Sequence, residues 1–139
     1  MITQEISDRL ELKELVDLFS NYADTKENDK QVALFAPDGV INIISSGEVT
    51  FSLKGREAIY KAFSGSMDAY ESIFHMSGQQ TVEFQDETHA TGIAYNLVVL
   101  VKDGVTSQEG VRYADTYVKL DGKWQIQQRN SNFIWRKDI

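Results

Sequence analysis

Two Asp-Gly pairs, Asp103-Gly104 and Asp121-Gly122, constrain this chain more than any other feature. Each sits between long runs of alternating apolar residues, and such a pair accepts the positive φ angles of a two-residue hairpin turn. With "QDET" (85–88) as a third link, the chain from about residue 72 onward reads as four long strands in an up-and-down antiparallel sheet. Gly92 and Gly110 fall inside these runs, where a residue without Cβ suits a bulge or a sharp bend. A bent sheet with helices stacked on one side makes a cone with a hollow.

The run "AYNLVVLV" adds a constraint. Leu97 to Val101 are apolar on both faces of their strand, whereas a sheet with one wet face alternates. One face is covered by the domain's own helices. A second copy of the sheet, in a homodimer, is the expected cover for the other.

The first half is helical with one strand pair. In "TQEISDRLELKELVDLFSNYAD", Ile6, Leu10, Leu15, Leu18, Phe19 and Tyr22 form an apolar stripe, with Thr3 or Ser7 as the cap. A short helical piece, "DKQVALFA", ends before Pro37, where a turn begins. "GVINIIS" and "VTFSL" read as strands, and "GREAIYKAFSGSMDAY" as a third helical segment. No linker, repeat or low-complexity tract divides the chain, so residues 1–139 read as a single α+β domain.

Composition narrows the function classes. A formal net charge of −7 argues against nucleic acid or an anionic membrane surface as partner, since both demand a basic patch. With no cysteine, thiol catalysis and cysteine-held metals are excluded. His75 and His89 lie far apart with no His-x-His or His-Glu pair, so no metal site is expected; no P-loop or GxGxxG motif implies a nucleotide cofactor. The amino-terminal stretch lacks the apolar core of a signal peptide, and no run is long and apolar enough to span a bilayer, so the expected home is the cytoplasm.

The order of these elements, with "YAD", "LFAPDG", "GREAI", a lone His on the next strand, "YADTYVKLDGKW" and the late Arg129 and Trp135, resembles SnoaL-like proteins of the NTF2-like superfamily. The likeness covers nearly the whole chain and implies a cone: a curved antiparallel sheet wrapped around amino-terminal helices, with an internal pocket. This fold carries cofactor-free dehydratases such as scytalone dehydratase and bile acid 7α-dehydratase. It also carries polyketide cyclases, ketosteroid isomerases, epoxide hydrolases, and proteins that only bind or dimerise. By the resemblance, Tyr22 matches a catalytic Tyr late in the first helix. Glu27 holds the position of an acid, with Asp24 a nearer alternative. His75 matches the His after the third helix, and Arg129 matches an Arg on the last strand. Where such dehydratases carry a further His or Asp on the next strand, this chain has Tyr95 and Asn96; His89 does not match.

Each candidate has a structural alternative. His75 either lines the hollow and moves a proton at neutral pH or is a core or interface histidine. Alternation puts it in a row with Ser77, Gln79 and Thr81, opposite Phe74 and Met76. Asp24 or Glu27 either orients the imidazole or is solvated. Arg129 either binds a substrate oxygen or pairs with Asp115. Tyr113, Asp115 and Tyr117 form one row and Arg112, Ala114, Thr116 and Val118 the other; one of the two faces the hollow. The expected activity is that of a cofactor-free lyase or isomerase acting on a small hydrophobic carbonyl compound. In it His75, Tyr22, Asp24 and Glu27 are the catalytic candidates, and Arg129, Tyr95, Asn96, Tyr113 and Asp115 contact substrate. The alternative is a non-catalytic binding or dimerisation module of the same fold.

Overall fold

The structure, a computed structural model, describes residues 3–139. Helix α1 (Gln4–Asp24) starts where the Thr3 hydroxyl accepts a hydrogen bond from the Ile6 N–H, which satisfies one of the unpaired donors of the first turn. It buries Leu12, Leu15, Val16, Phe19 and Ala23. Ile6 and Leu10, expected on that stripe, are exposed. At about 100° per residue both lie more than a quarter turn from the buried line through Phe19.

A short α2 (Asn28–Val32) follows. The helical reading up to Ala36 fails here, because β1 (Phe35–Ser45) begins at Phe35 and runs through Pro37. Proline is tolerated because the pairing of β1 skips between Phe35 and Val40, so no ladder donor is required of it. A Ser46-Gly47 turn leads to β2 (Glu48–Lys54), and α3 (Arg56–Met67) enters through Gly55 at φ 85°.

The remaining strands are β3 (Ser72–Phe84), β4 (His89–Lys102), β5 (Val105–Leu120) and β6 (Lys123–Asp138). Both Asp-Gly pairs take positive φ at each residue (Asp103 52°, Gly104 76°; Asp121 51°, Gly122 76°), the geometry that joins twisted neighbouring strands in two residues. The six strands form one curved, unclosed sheet in the order β2-β1-β6-β5-β4-β3. Only the β1–β6 pair is parallel.

Helix α1 lies across the concave face, against β3 and β6, while α3 rests on β1, β2 and α2. The core between them holds Phe19 edge-on to Phe35, Phe63 and Tyr113, with Ile73, Val98, Leu100, Val111 and Ile126 from the sheet. The expectation of bends at the strand glycines divides. Gly110 sits at a register shift against β6, and the Trp135 indole lies directly on it. Gly92 is in continuous register and instead admits the ring of Tyr117.

On the convex face Phe74, Met76, Ile93, Tyr95, Leu97 and Trp135 stand exposed. Among the described residues no helix is long and apolar enough to cross a membrane.

Candidate functional site

His75 points into the concave face. Its neighbours alternate around it: Ile73 is buried, whereas Phe74 and Met76 are exposed on the far side. The pairing with β4 shifts between Ser77 and Gln80. That bulge moves Gln79 and Thr81 out of the His75 row, where strict alternation put them, and brings in Gln80, Val82 and Phe84.

Asp24 holds the ring. Its Oδ1 lies 2.7 Å from His75 Nδ1, and its Oδ2 accepts the main-chain N–H of His75 at 3.0 Å. An ionised carboxylate only accepts, so Nδ1 carries the proton and the lone pair lies on Nε2. Among the described residues Nε2 has no hydrogen-bond partner. The side chains are 11% exposed for His75 and 25% for Asp24, so the dyad is mostly desolvated.

The other acid and the tyrosine lie elsewhere. Glu27 bonds Thr25 at 2.7 Å and Lys30 at 2.9 Å, and these two bonds hold its carboxyl below the ordinary range. Tyr22 lines a surface cleft of about 540 Å³ with Leu18, Lys30, Lys123 and Trp124. Tyr22, named with His75 as a catalytic candidate, makes no hydrogen bond to it among the described residues. Two residues on a helix are about 200° apart, so Tyr22 and Asp24 face opposite ways and only one reaches β3. The stripe that does reach it is Lys13, Ser20 and Asp24. Lys13 donates to the Gly78 carbonyl, and Ser20 accepts from Ser77 at 2.9 Å and from Asn96 Nδ2 at 3.2 Å.

Strand parity separates Tyr95 from Asn96. Asn96 is buried on the His75 side, while Tyr95 stands on the convex face and is not part of this site.

On β5 the row of Tyr113, Asp115 and Tyr117 faces the interior. Arg129, fully buried, pairs with Asp115 through Nε at 2.9 Å and Nη2 at 2.8 Å. The Tyr117 hydroxyl donates to the same carboxylate at 2.7 Å. Burial works against the Arg129 cation, but Asp115 outweighs it and raises its pKa further. The guanidinium lies 3.8 Å from the centre of the Tyr113 ring and 4.4 Å from that of Phe19, two faces that favour a cation. Its Nη1 is buried without a hydrogen-bond partner. Burial pushes the Tyr113 and Tyr117 phenols up, so both remain neutral donors.

One ionisable group was missed. Glu109 continues the inward parity of Tyr113 and Asp115 and lies in register with Val98, which is in register with His75. Burial pushes its carboxyl up, against the pull of Arg136 and His75. Its parity was available in the sequence, but Gly110 and Val111 break the polar row that would have drawn attention to it.

The chemistry present is a base oriented by an acid, a buried cation and a nearly buried second carboxyl. Among the described residues no group of three or more His, Asp or Glu side chains is placed to hold a metal ion. His89, exposed at the start of β4, pairs with Asp86 away from the site. The clefts of about 800, 410 and 540 Å³ on the surface are not lined by His75.

Known structures share the whole arrangement of elements. A candidate scytalone dehydratase from Novosphingobium aromaticivorans superposes with a TM-score of 0.88 at 20% identity, over 98% of this chain and 90% of that one. A hexachlorocyclohexane dehydrochlorinase, LinA-type3 from Novosphingobium barchaimii, gives 0.83 at 16% identity, over 98% and 92%. An NTF2-like protein with a cystatin-like fold, also from Novosphingobium aromaticivorans, gives 0.77 at 22% identity, over 92% and 82%. At these identities the likeness is one of fold. The sequence profile of the SnoaL-like domain matches residues 4–130, and the chain belongs to the SnoaL-like family.

Proposed function

We propose that the protein is a cofactor-free lyase or isomerase that acts on a small hydrophobic carbonyl compound, with His75 as the base. The observation that carries this reading is the double hold of Asp24 on His75, which leaves Nε2 as an unpartnered acceptor at the edge of an apolar interior. In this mechanism Nε2 takes a proton from carbon next to a carbonyl, and Asp24 steadies the imidazolium that results. The unpartnered Nη1 of Arg129 and the neutral phenol of Tyr113 are the donors for negative charge developing on the substrate. Tyr22 and Glu27 have no part in it. The elimination chemistry for which two fold relatives are named, dehydration and dehydrochlorination, supports the same reaction class.

The test is exchange of the α-hydrogens of indanone with deuterium oxide, followed by proton NMR. The wild type should exchange them saturably above the buffer rate, and His75→Asn should lose about 10²–10⁴-fold. Exchange that is absent, or indifferent to His75→Asn in a folded protein, rejects the proposal.

A second observation favours a homodimer built on the convex face. Phe74 and Met76 on β3 and Leu97 on β4 stand exposed, with Trp135 of β6 reached across Gly110 of β5, the kind of apolar patch that marks an association site. Light scattering should then give twice the chain mass for the wild type and the chain mass for Leu97→Asp. A monomeric wild type rejects this assembly.

A further inference from the structure

The dyad alone explains removal of a proton but not loss of a poor leaving group, because hydroxide departs only if something protonates it. Such a group should be a carboxyl kept neutral, on the same face as the base, across a gap the substrate can bridge. Glu109 lies on that face, and burial raises its pKa above the ordinary carboxyl value. His75, Val98 and Glu109 lie in one cross-strand row on β3, β4 and β5. Their backbones are two strand spacings apart, roughly 10 Å. A molecule held between the two would therefore meet the imidazole on one side and the carboxyl on the other. The carboxyl is 12% exposed, and its one ion-pair contact is long, 3.9 Å to Arg136 Nη1. The site has no other carboxyl of this kind, since Asp24 is bound to His75 and Asp115 to Arg129.

We infer that Glu109 is the general acid of this site, and that the substrate class is β-hydroxy carbonyl compounds. The inference rests on the lyase reading of His75 above. In the step, Nε2 of His75 takes the α-proton, and the electron pair of that C–H bond becomes the new carbon–carbon double bond. The bond from the β-carbon to oxygen breaks, and the departing oxygen takes the Glu109 proton and leaves as water. The enzyme is left with imidazolium and carboxylate, and one proton passing between them through solvent restores it. Burial of Glu109 favours its protonated form at the start of the cycle, and a nearby His75 cation and Arg136 favour the carboxylate at the end.

The experiment compares the β-hydroxy and β-chloro derivatives of indanone, with formation of indenone read by absorbance. Chloride leaves without a proton, so the two substrates separate the acid from the base. Glu109→Gln should slow loss of water by at least about a hundredfold and loss of chloride far less, while His75→Asn should slow both. Equal losses on the two substrates, or none, overturn the acid role and leave the His75 reading standing if the wild type still exchanges indanone hydrogens. A wild type that does not exchange them overturns both. Carbon NMR titration of the wild-type carboxyls guards against a misfolded variant. Glu109 should titrate above the other glutamates, and a midpoint among theirs overturns the proposal.

Discussion

Asp24 bonds both the ring and the main chain of His75, with one carboxylate oxygen for each. A helix end is thereby tied to a strand at the residue proposed as the base. Removing the charge but not the shape should separate orientation from folding. Asp24→Asn is expected to lower deuterium exchange on indanone by about 10²–10⁴-fold. Its urea midpoint should stay close to that of the wild type, since the side chain is partly exposed. A small kinetic effect with a large loss of stability would assign Asp24 a purely structural role.

The Arg129–Asp115 pair is fully buried, so breaking one half leaves a charge with no solvent to receive it. Asp115→Asn should destabilise the protein by about 3–5 kcal/mol in urea unfolding. Replacing both partners with apolar residues of similar volume should recover much of that loss. Equal destabilisation by the single and double variants would show that packing, not charge, holds this part of the core.

Glu109 sets a pH dependence with a definite sign. Its folded pKa is raised above the ordinary value of 4.5 by burial, so between the two values the folded state holds a proton that the unfolded chain has released. The stabilising effect is complete below the unfolded value and is lost as pH rises through the folded one. Stability should therefore fall with pH across that window in the wild type, and Glu109→Gln should remove this part of the slope. An unchanged slope in the variant would contradict the buried, protonated carboxyl.

The two strand glycines should respond differently to alanine. A Cβ on Gly92 would meet the Thr81 carbonyl at 2.9 Å and Tyr117 Cε2 at 2.8 Å, and neither can withdraw, since one is backbone and the other is core. Gly92→Ala should cost about 1–3 kcal/mol. Gly110→Ala would strike only the Trp135 ring, which is half-exposed and can swing outward, so the cost should be below about 1 kcal/mol. Thermal unfolding of both variants makes the comparison.

The hairpins were legible because Asp-Gly chemistry is local: the residues that need positive φ are the residues that mark the turn. The pairing of β1 with β6 was not legible, since Asn42 and Asn130 meet across 88 residues with nothing in either segment naming the other. At the site, His75 and the two acids were visible as candidates, but the choice between Asp24 and Glu27 depends on where α1 stops turning. Tyr22 was misplaced for the same reason, because a resemblance carries position along a helix but not rotation about it. The row below His75 was misread because the bulge between Ser77 and Gln80 has no sequence signature stronger than Gly78.

Strand β1 lies between β2 and β6, and β6 is the last strand of the chain. The early hairpin of β1 and β2 therefore has α3 to pack against but no further strand to pair with until β6 exists. A nascent chain that stops short of β6 would hold both edges of that hairpin unpaired, and it would lack the strand that joins the two halves of the sheet. Completion of this sheet thus waits on a slow, long-range pairing.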